Sequence, residues 1–389
     1  MVEGRYLRVA CSLLCLVVLA SNLWTMRNWT ERTGVYDDLC YLRQAHLFQR
    51  FGLGGLDTDI ARDDDQYFAT LEREIGHPSW NDPAHPACHN PMKATGKIVI
   101  QYPPGTGFLM AIFPSGFQRV PLYAAANFVI FSVGLLAIWL AKTSQAAVRS
   151  SGIGALALYF MVNPAKASFS MAPTMAVCAL AGYLTVVMFT AENRRSRLIA
   201  ASLTGLLLGL SVSFRIPNLL LSAGPFLWLS VEALKRRETA AVLCLAFFGT
   251  AYLAGITPTL VSNIINAGSP FSTTYGPDDT VLDLTFAIVR EYISDMQGAL
   301  IAVVLAWAIW NLRSATRNLV PAVVITNLFC NVLFFLSHPL FNPYYLMPVA
   351  MLSLWALLFN DLMGDRALSR VTPINFRPHS FQSRSIVED

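Results

Sequence analysis

Apolar runs of about twenty residues, separated by short polar breaks, recur along almost the whole chain and leave it few folds to adopt. A bilayer core about 30 Å thick takes roughly 20 apolar residues as helix. About ten such runs are expected to span, over residues 7–26, 120–141, 150–163, 171–191, 198–214, 216–234, 239–261, 297–312, 319–337 and 344–362. Charge points the same way. Only 13% of the 389 residues are charged, against about 25% in soluble domains, too little to cover a water-facing surface. The expected fold class is an all-α polytopic membrane protein.

Basic residues set the expected orientation. One set of loops carries Lys142 and Arg149, then Arg194, Arg195 and Arg197, then Lys235, Arg236 and Arg237, then Arg313 and Arg317; Arg366 and Arg370 begin the tail. The short loops between them carry only Lys166 and Arg215. Every second loop is therefore basic, and such loops stay cytoplasmic. Two long loops, about 27–119 and 262–296, then face the extracytoplasmic side, where function in a polytopic protein usually sits. Residues 1–362 form one membrane domain, and 363–389 are expected as a short, polar, disordered cytoplasmic tail. The first run begins with Arg5 and Arg8, and Val18-Leu19-Ala20 resembles a signal-peptidase site, but the apolar run continues to Trp24. An uncleaved anchor is the favoured reading, and cleavage would leave the next loop on the same side.

Several function classes lose support. The net charge of +4 is distributed by membrane side, and no block of like charges suggests a nucleic-acid partner. No Gly-rich nucleotide loop occurs between a strand and a helix, which argues against an ATP-driven pump. No internal repeat of the secondary-transporter kind is visible. Of seven cysteines, Cys11, Cys15, Cys178, Cys244 and Cys330 lie in apolar runs as small hydrophobes. Cys40 and Cys88 lie in the first long loop, where an oxidising compartment would allow them to pair; spacing leaves paired and free states open.

Chemistry-bearing residues concentrate in the outer loops. Asp37 and Asp38 precede a helical stripe of Leu39, Leu42, Ala45 and Phe48. One of them caps that helix, or the pair is a carboxylate site at the membrane surface able to act as general base. The stretch 57–89 holds Asp63-Asp64-Asp65, His77, His85 and His89. These types suit a divalent cation, yet their spacing fits no compact zinc pattern and Pro78, Pro83 and Pro86 interrupt it, so a solvated loop is expected. Tyr102-Pro103-Pro104-Gly105 makes a rigid turn that presents Tyr102, followed by a short interfacial apolar segment. Arg215 divides two apolar runs, at a depth where a cation needs a partner, and a guanidinium suits phosphate. Lys166 snorkels or joins Arg215. His338 stands near Tyr344 and Tyr345, an aromatic pair at a span boundary.

Taken in order, Asp37-Asp38 with its helix, Tyr102-Pro103-Pro104-Gly105, Arg215 with Pro217, Gly268-Ser269-Pro270-Phe271-Ser272 with Tyr275-Gly276, and Pro343-Tyr344-Tyr345-Leu346-Met347-Pro348 form a pattern over roughly residues 30–350. It resembles the GT-C superfamily of membrane glycosyltransferases, in particular its bacterial branch similar to protein mannosyltransferases and the lipid A aminoarabinose transferase. The resemblance implies a GT-C-like helical bundle in the cell inner membrane, with its active site extracytoplasmic. It implies transfer of a sugar from a polyprenyl-phosphate donor to a lipid, glycan or protein acceptor. The base falls on Asp37 or Asp38, and the donor phosphate on Arg215, Tyr102, Tyr344 and Tyr345, with His338 and Lys166 as further candidates. The aminoarabinose-transferase branch carries Lys where this chain has Tyr102. No cofactor is assigned, and a divalent cation is the one candidate. The competing expectations are a transporter or flippase of a lipid-linked or polar solute, which would need charged residues lining a route through the spans, and a non-catalytic partner of similar fold.

Overall fold

Helix is the only structure in which a single apolar segment satisfies its own backbone inside lipid, and helices dominate here. The computed structural model describes residues 2–29, 36–75, 86–116, 119–161, 168–275, 285–313, 319–337 and 344–368. Eight helices are long and apolar enough to cross a membrane. They are α1 (Val2–Met26), α5 (Arg119–Leu140), α7 (Met171–Thr190), α8 (Arg194–Val212), α10 (Thr239–Ala267), α12 (Met296–Arg313), α13 (Val320–Ser337) and α14 (Met347–Leu368). The protein is thus an all-α polytopic membrane protein.

Two of the ten expected spans differ. Residues 150–163 fall on α6 (Ser144–Tyr159), whose 16 residues reach about 24 Å. Residues 216–234 fall on a 3-10 segment, Ile216–Ser222, that continues into α9 (Ala223–Arg236). Pro217 at the start of that segment removes a backbone donor, and the tighter winding stretches the element to about 35 Å in all.

Polar contacts sort the helix termini into two ends. At the basic end, Arg149 of α6 pairs with Asp361 of α14 at 3.0 Å, and Asn311 of α12 donates to the same carboxylate at 2.8 Å. Arg197 of α8 there meets Glu232 of α9 at 3.1 Å. At the opposite end, the end of α1 and the start of α5 meet through Trp29 and Tyr123, edge to face at 5.0 Å. The start of α7 joins the first long loop through Phe169, and the exit of α8 joins it through Ser213. Segments 144–161 and 216–236 therefore run from one end to the other.

Small residues let the helices approach. Gly205 and Gly209 of α8 lie against Phe248, Tyr252 and Gly255 of α10, so closely that an added Cβ would collide with the carbonyl oxygens of Phe248 and Tyr252. Asn22 of α1 donates to Asn127 of α5 and to the Leu158 carbonyl of α6, both at 2.8 Å, a polar tie within the bundle.

The first long loop is folded rather than a solvated strap. It holds α2 (Tyr36–Phe51), two short 3-10 turns at Gly52–Leu56 and Ile60–Arg62, α3 (Tyr67–Ile75), a hairpin of β1 (His89–Met92) with β2 (Lys97–Ile100), and α4 (Gly105–Ala111). The register pairs His89 with Ile100. The stripe Leu39, Leu42, Ala45 and Phe48 is buried as expected, and so are Tyr41, Gln44 and Leu47 on the other faces. The expectation of solvated acidic sequence over 57–89 is corrected for its described part. Asp63 caps α3, accepting from the N–H groups of Phe68 and Ala69, while Asp64 pairs with Arg50 and Asp65 with His46. His77 and His85 lie outside the described residues. Cys40 and Cys88 are joined in a disulfide, with Cα atoms 6.4 Å apart.

The 29 residues of α10 reach about 44 Å, well beyond a bilayer core. Its protruding end anchors the loop: Asn266 accepts from the Thr58 amide at 3.0 Å, and Lys97 donates to the Ile265 carbonyl at 3.1 Å. Gly268 ends this helix in the left-handed conformation (φ 79°) that glycine tolerates.

Candidate functional site

Asp37 sits in the first turn of α2, where the helix dipole favours a negative charge. Its Oδ1 accepts a 2.7 Å hydrogen bond from the Tyr102 hydroxyl, which in turn accepts from Gln101 Nε2 at 2.6 Å. Tyr102 stacks on Tyr41 at 5.1 Å and meets Tyr275 edge-on at 6.2 Å. Burial pushes the Asp37 carboxyl above the usual aspartate range, opposed by the Tyr102 hydrogen bond and by the charge of Arg215. The same burial, with Asp37 as the nearest negative charge, holds the phenols of Tyr41 and Tyr102 well above their ordinary range, so both remain neutral donors.

Asp38 has a different place. It is 1% exposed, and its Oδ1 accepts from the backbone N–H of Phe169 at 2.8 Å. It holds the turn that opens α7, two residues before Met171. The Sδ of Met171 lies 2.7 Å from Arg215 Nη1. Neither aspartate was distinguishable from its neighbour in sequence; folding separates one at the tyrosine cluster from one tied to backbone.

Arg215 lies between α8 and the 3-10 segment, in extended conformation (φ −151°). Its guanidinium stands 5.0 Å above the Tyr345 ring. Among the described residues, no carboxylate lies within 4.0 Å of it. Its position follows from the Tyr-Pro-Pro-Gly turn: the Gly105 N–H donates to the Ser213 carbonyl at 2.7 Å, and a Cβ at Gly105 would sit 2.8 Å from the Ser213 side chain. The segment after Tyr102 is thereby laced to the segment before Arg215. Gly107 packs as tightly on Gln44 of α2, completing the link back to Asp37.

Tyr345 belongs to this cluster and stacks on Phe335 at 5.1 Å. Tyr344 lies elsewhere: its titratable neighbours include Tyr123, Tyr159 and Asp295, and its backbone is left-handed at φ 78°, which for a bulky side chain is strained. Lys166 and His338 lie outside the described residues. Three members were missed in sequence. Tyr41 reads as one more residue of an apolar helix, Gln101 as loop, and Met171 as span. Tyr275 was visible only as part of the Gly-Ser-Pro-Phe-Ser motif.

A second buried polar group supports the cluster. Arg43 is fully buried and donates to the carbonyls of Thr58 and Asp59 at 2.8 and 2.7 Å, and to His89 Nε2 at 2.9 Å. His89 Nδ1 lies 2.6 Å from the Ala87 carbonyl, which only accepts, so Nδ1 carries the proton and Nε2 receives Arg43. Burial, reinforced by Arg43, lowers the His89 pKa to about 3, and burial lowers that of Arg43 to about 10.

Among the described residues, the one cluster with metal-ligand spacing is Cys40, Cys88 and His89. Its sulfurs are bonded to each other and both nitrogens of His89 are engaged, so the donor set does not fit a cation. The chain matches no known protein-family model and no curated protein.

Proposed function

We propose that this chain is a membrane glycosyltransferase of the GT-C type. It crosses the inner membrane about ten times and transfers a sugar from a polyprenyl-phosphate donor to a hydroxyl of a lipid, glycan or protein acceptor on the extracytoplasmic side. The observation that carries this reading is Arg215. A guanidinium held by a thioether sulfur and an aromatic face, at the same end of the bundle as a partly buried carboxylate, is a cation awaiting an anion. Phosphate at the depth of a lipid headgroup meets that need with two hydrogen bonds.

The chemistry divides between the two groups. Asp37, whose raised pKa makes it a stronger base than a solvated carboxylate, takes the proton of the acceptor hydroxyl. The hydroxyl oxygen forms its bond to the anomeric carbon as the carbon–oxygen bond to phosphate breaks, inverting that centre. The bonding pair leaves on the phosphate oxygen, and Arg215 stabilises the extra negative charge of the departing polyprenyl phosphate. Asp37 ends neutral. Sidedness rests on the basic loops and agrees with a disulfide in the opposite loop.

The test is incubation of the purified protein with a labelled polyprenyl-phosphate sugar and candidate acceptors. Release of polyprenyl phosphate coupled to labelling of an acceptor, lost in Asp37→Asn, is the expected result. Movement of the intact donor across vesicles without bond cleavage would replace this reading with a flippase.

A further inference from the structure

Hydrogen bonds between uncharged side chains usually leave donor and acceptor interchangeable, but next to Asp37 they run in one direction. The main-chain carbonyl of Thr274 only accepts. Asn90 must therefore turn its Nδ2 toward it, at 3.0 Å. The second hydrogen of that amide reaches Gln101 Oε1 at 3.2 Å. With its oxygen so committed, Gln101 presents Nε2 to the Tyr102 hydroxyl at 2.6 Å. Tyr102 accepts there and has its own proton left for Asp37, at 2.7 Å. Each link determines the next.

We propose that Asn90 and Gln101 are positioning residues which, through Tyr102, keep a hydrogen-bond donor aimed at Asp37 and hold it ionised against the burial around it. The proposal rests on reading Asp37 as the base, and it adds that the polarity of the chain is set from the second long loop. Thr274 Oγ1 also donates to the Gln101 carbonyl at 2.8 Å, so the loop residue beside Tyr275 holds the Gln101 main chain directly and its side chain through Asn90. The charged and titratable groups around Asp37 are Tyr41 on its own helix, Tyr102 from the first loop and Arg215 before the 3-10 segment, with Tyr275 from the second loop against Tyr102. Of these, Tyr102 makes a direct hydrogen bond to it, and the positive charge of Arg215 favours its ionised form through space. Without the aimed donor, the balance moves toward the protonated acid.

Gln101→Glu tests this. It keeps the shape but cannot donate, and its carboxylate competes with Asp37 for the Tyr102 proton. Gln101→Met removes the donor without adding charge. The Asp37 protonation midpoint is read on the full chain in lipid nanodiscs from its infrared carboxylic-acid band, assigned as the band missing in Asp37→Asn. The midpoint is expected to rise by about one pH unit in Gln101→Glu, the size of one hydrogen bond to a charged group. Gln101→Met is expected to raise it by less, and the acid limb of the transfer rate should follow in both. A midpoint unmoved in both variants overturns the proposal. The infrared reading does not depend on catalysis: if Asp37→Asn still transfers sugar, the base assignment falls while the midpoints still decide the chain.

Discussion

Asp37 and Asp38 are adjacent in sequence and alike in chemistry, yet successive positions on a helix point about 100° apart. One reaches a tyrosine and the field of an arginine; the other reaches a backbone amide across 131 positions of chain. Different losses follow on substitution. Asp37→Asn is expected to lower the transfer rate about 10²- to 10⁴-fold, as removal of a general base does, with an unchanged melting temperature. Asp38→Ala strands the Phe169 N–H and is expected to cost about 1–3 kcal/mol in stability, whereas Asp38→Asn, which still accepts, retains most of its activity. Arg215→Ala is expected to raise KM for the donor about 10- to 100-fold, the worth of a hydrogen bond to a charged group. The pH dependence has a definite sign. Because the Asp37 pKa lies above the ordinary carboxylate value, its protonation sets in at a higher pH than a solvated aspartate would show, and kcat/KM for the proposed transfer is expected to fall there.

At the scale of elements, the first loop is a scaffold held by the Cys40–Cys88 link, the Arg43–His89 contact and the end of α10. The disulfide joins α2, which carries Asp37, to the residue before β1, whose partner strand leads into Gln101 and Tyr102. Closing a loop of sequence separation 48 is worth about 4 kcal/mol of chain entropy. Replacing both cysteines by serine should therefore lower the melting temperature and make residues near 87 accessible to protease. His89 adds a contribution to stability that is also lost on acidification. Its folded pKa near 3 lies below the ordinary value of about 6.5, so its contribution is present above about pH 6.5 and is lost as pH falls toward 3. Hydrogen exchange of β1 and β2 should accelerate across that window, and less so in a His89→Asn variant. In the bundle, Gly205 and Gly209 are legible in sequence only as small residues; their need to be glycine comes from α10 crossing within contact distance.

On the scale of the molecule, two ends with different chemistry are set apart by the bundle. One carries Arg149, Arg197 and Arg236 with their acidic partners, and the other carries the folded loops. If the basic end is cytoplasmic, a cysteine placed at exposed Ser144 should react with an impermeant maleimide only in inside-out vesicles. One placed at Phe271, 87% exposed, should react only in right-side-out vesicles. Reaction of both from the same face would overturn the crossing of α6 or of segment 216–236. The convergence of Asp37, Tyr102, Arg215, Tyr275 and Tyr345 on one end is likewise a property of the whole, since their segments span more than 300 positions of chain.

What the amino-acid sequence determined alone is local: which segments are apolar enough to leave water, where Pro and Gly interrupt them, and the helical stripe behind Asp37. Apolar length and basic flanks act within a few turns of chain, so they are readable in order. Tertiary structure decided which of two neighbouring carboxylates joins the tyrosine cluster and feels the charge of Arg215, that Tyr345 rather than Tyr344 lies beneath the guanidinium, and that an acidic loop is a packed scaffold. Those outcomes depend on distances between segments that packing alone brings together, and no window of sequence contains them.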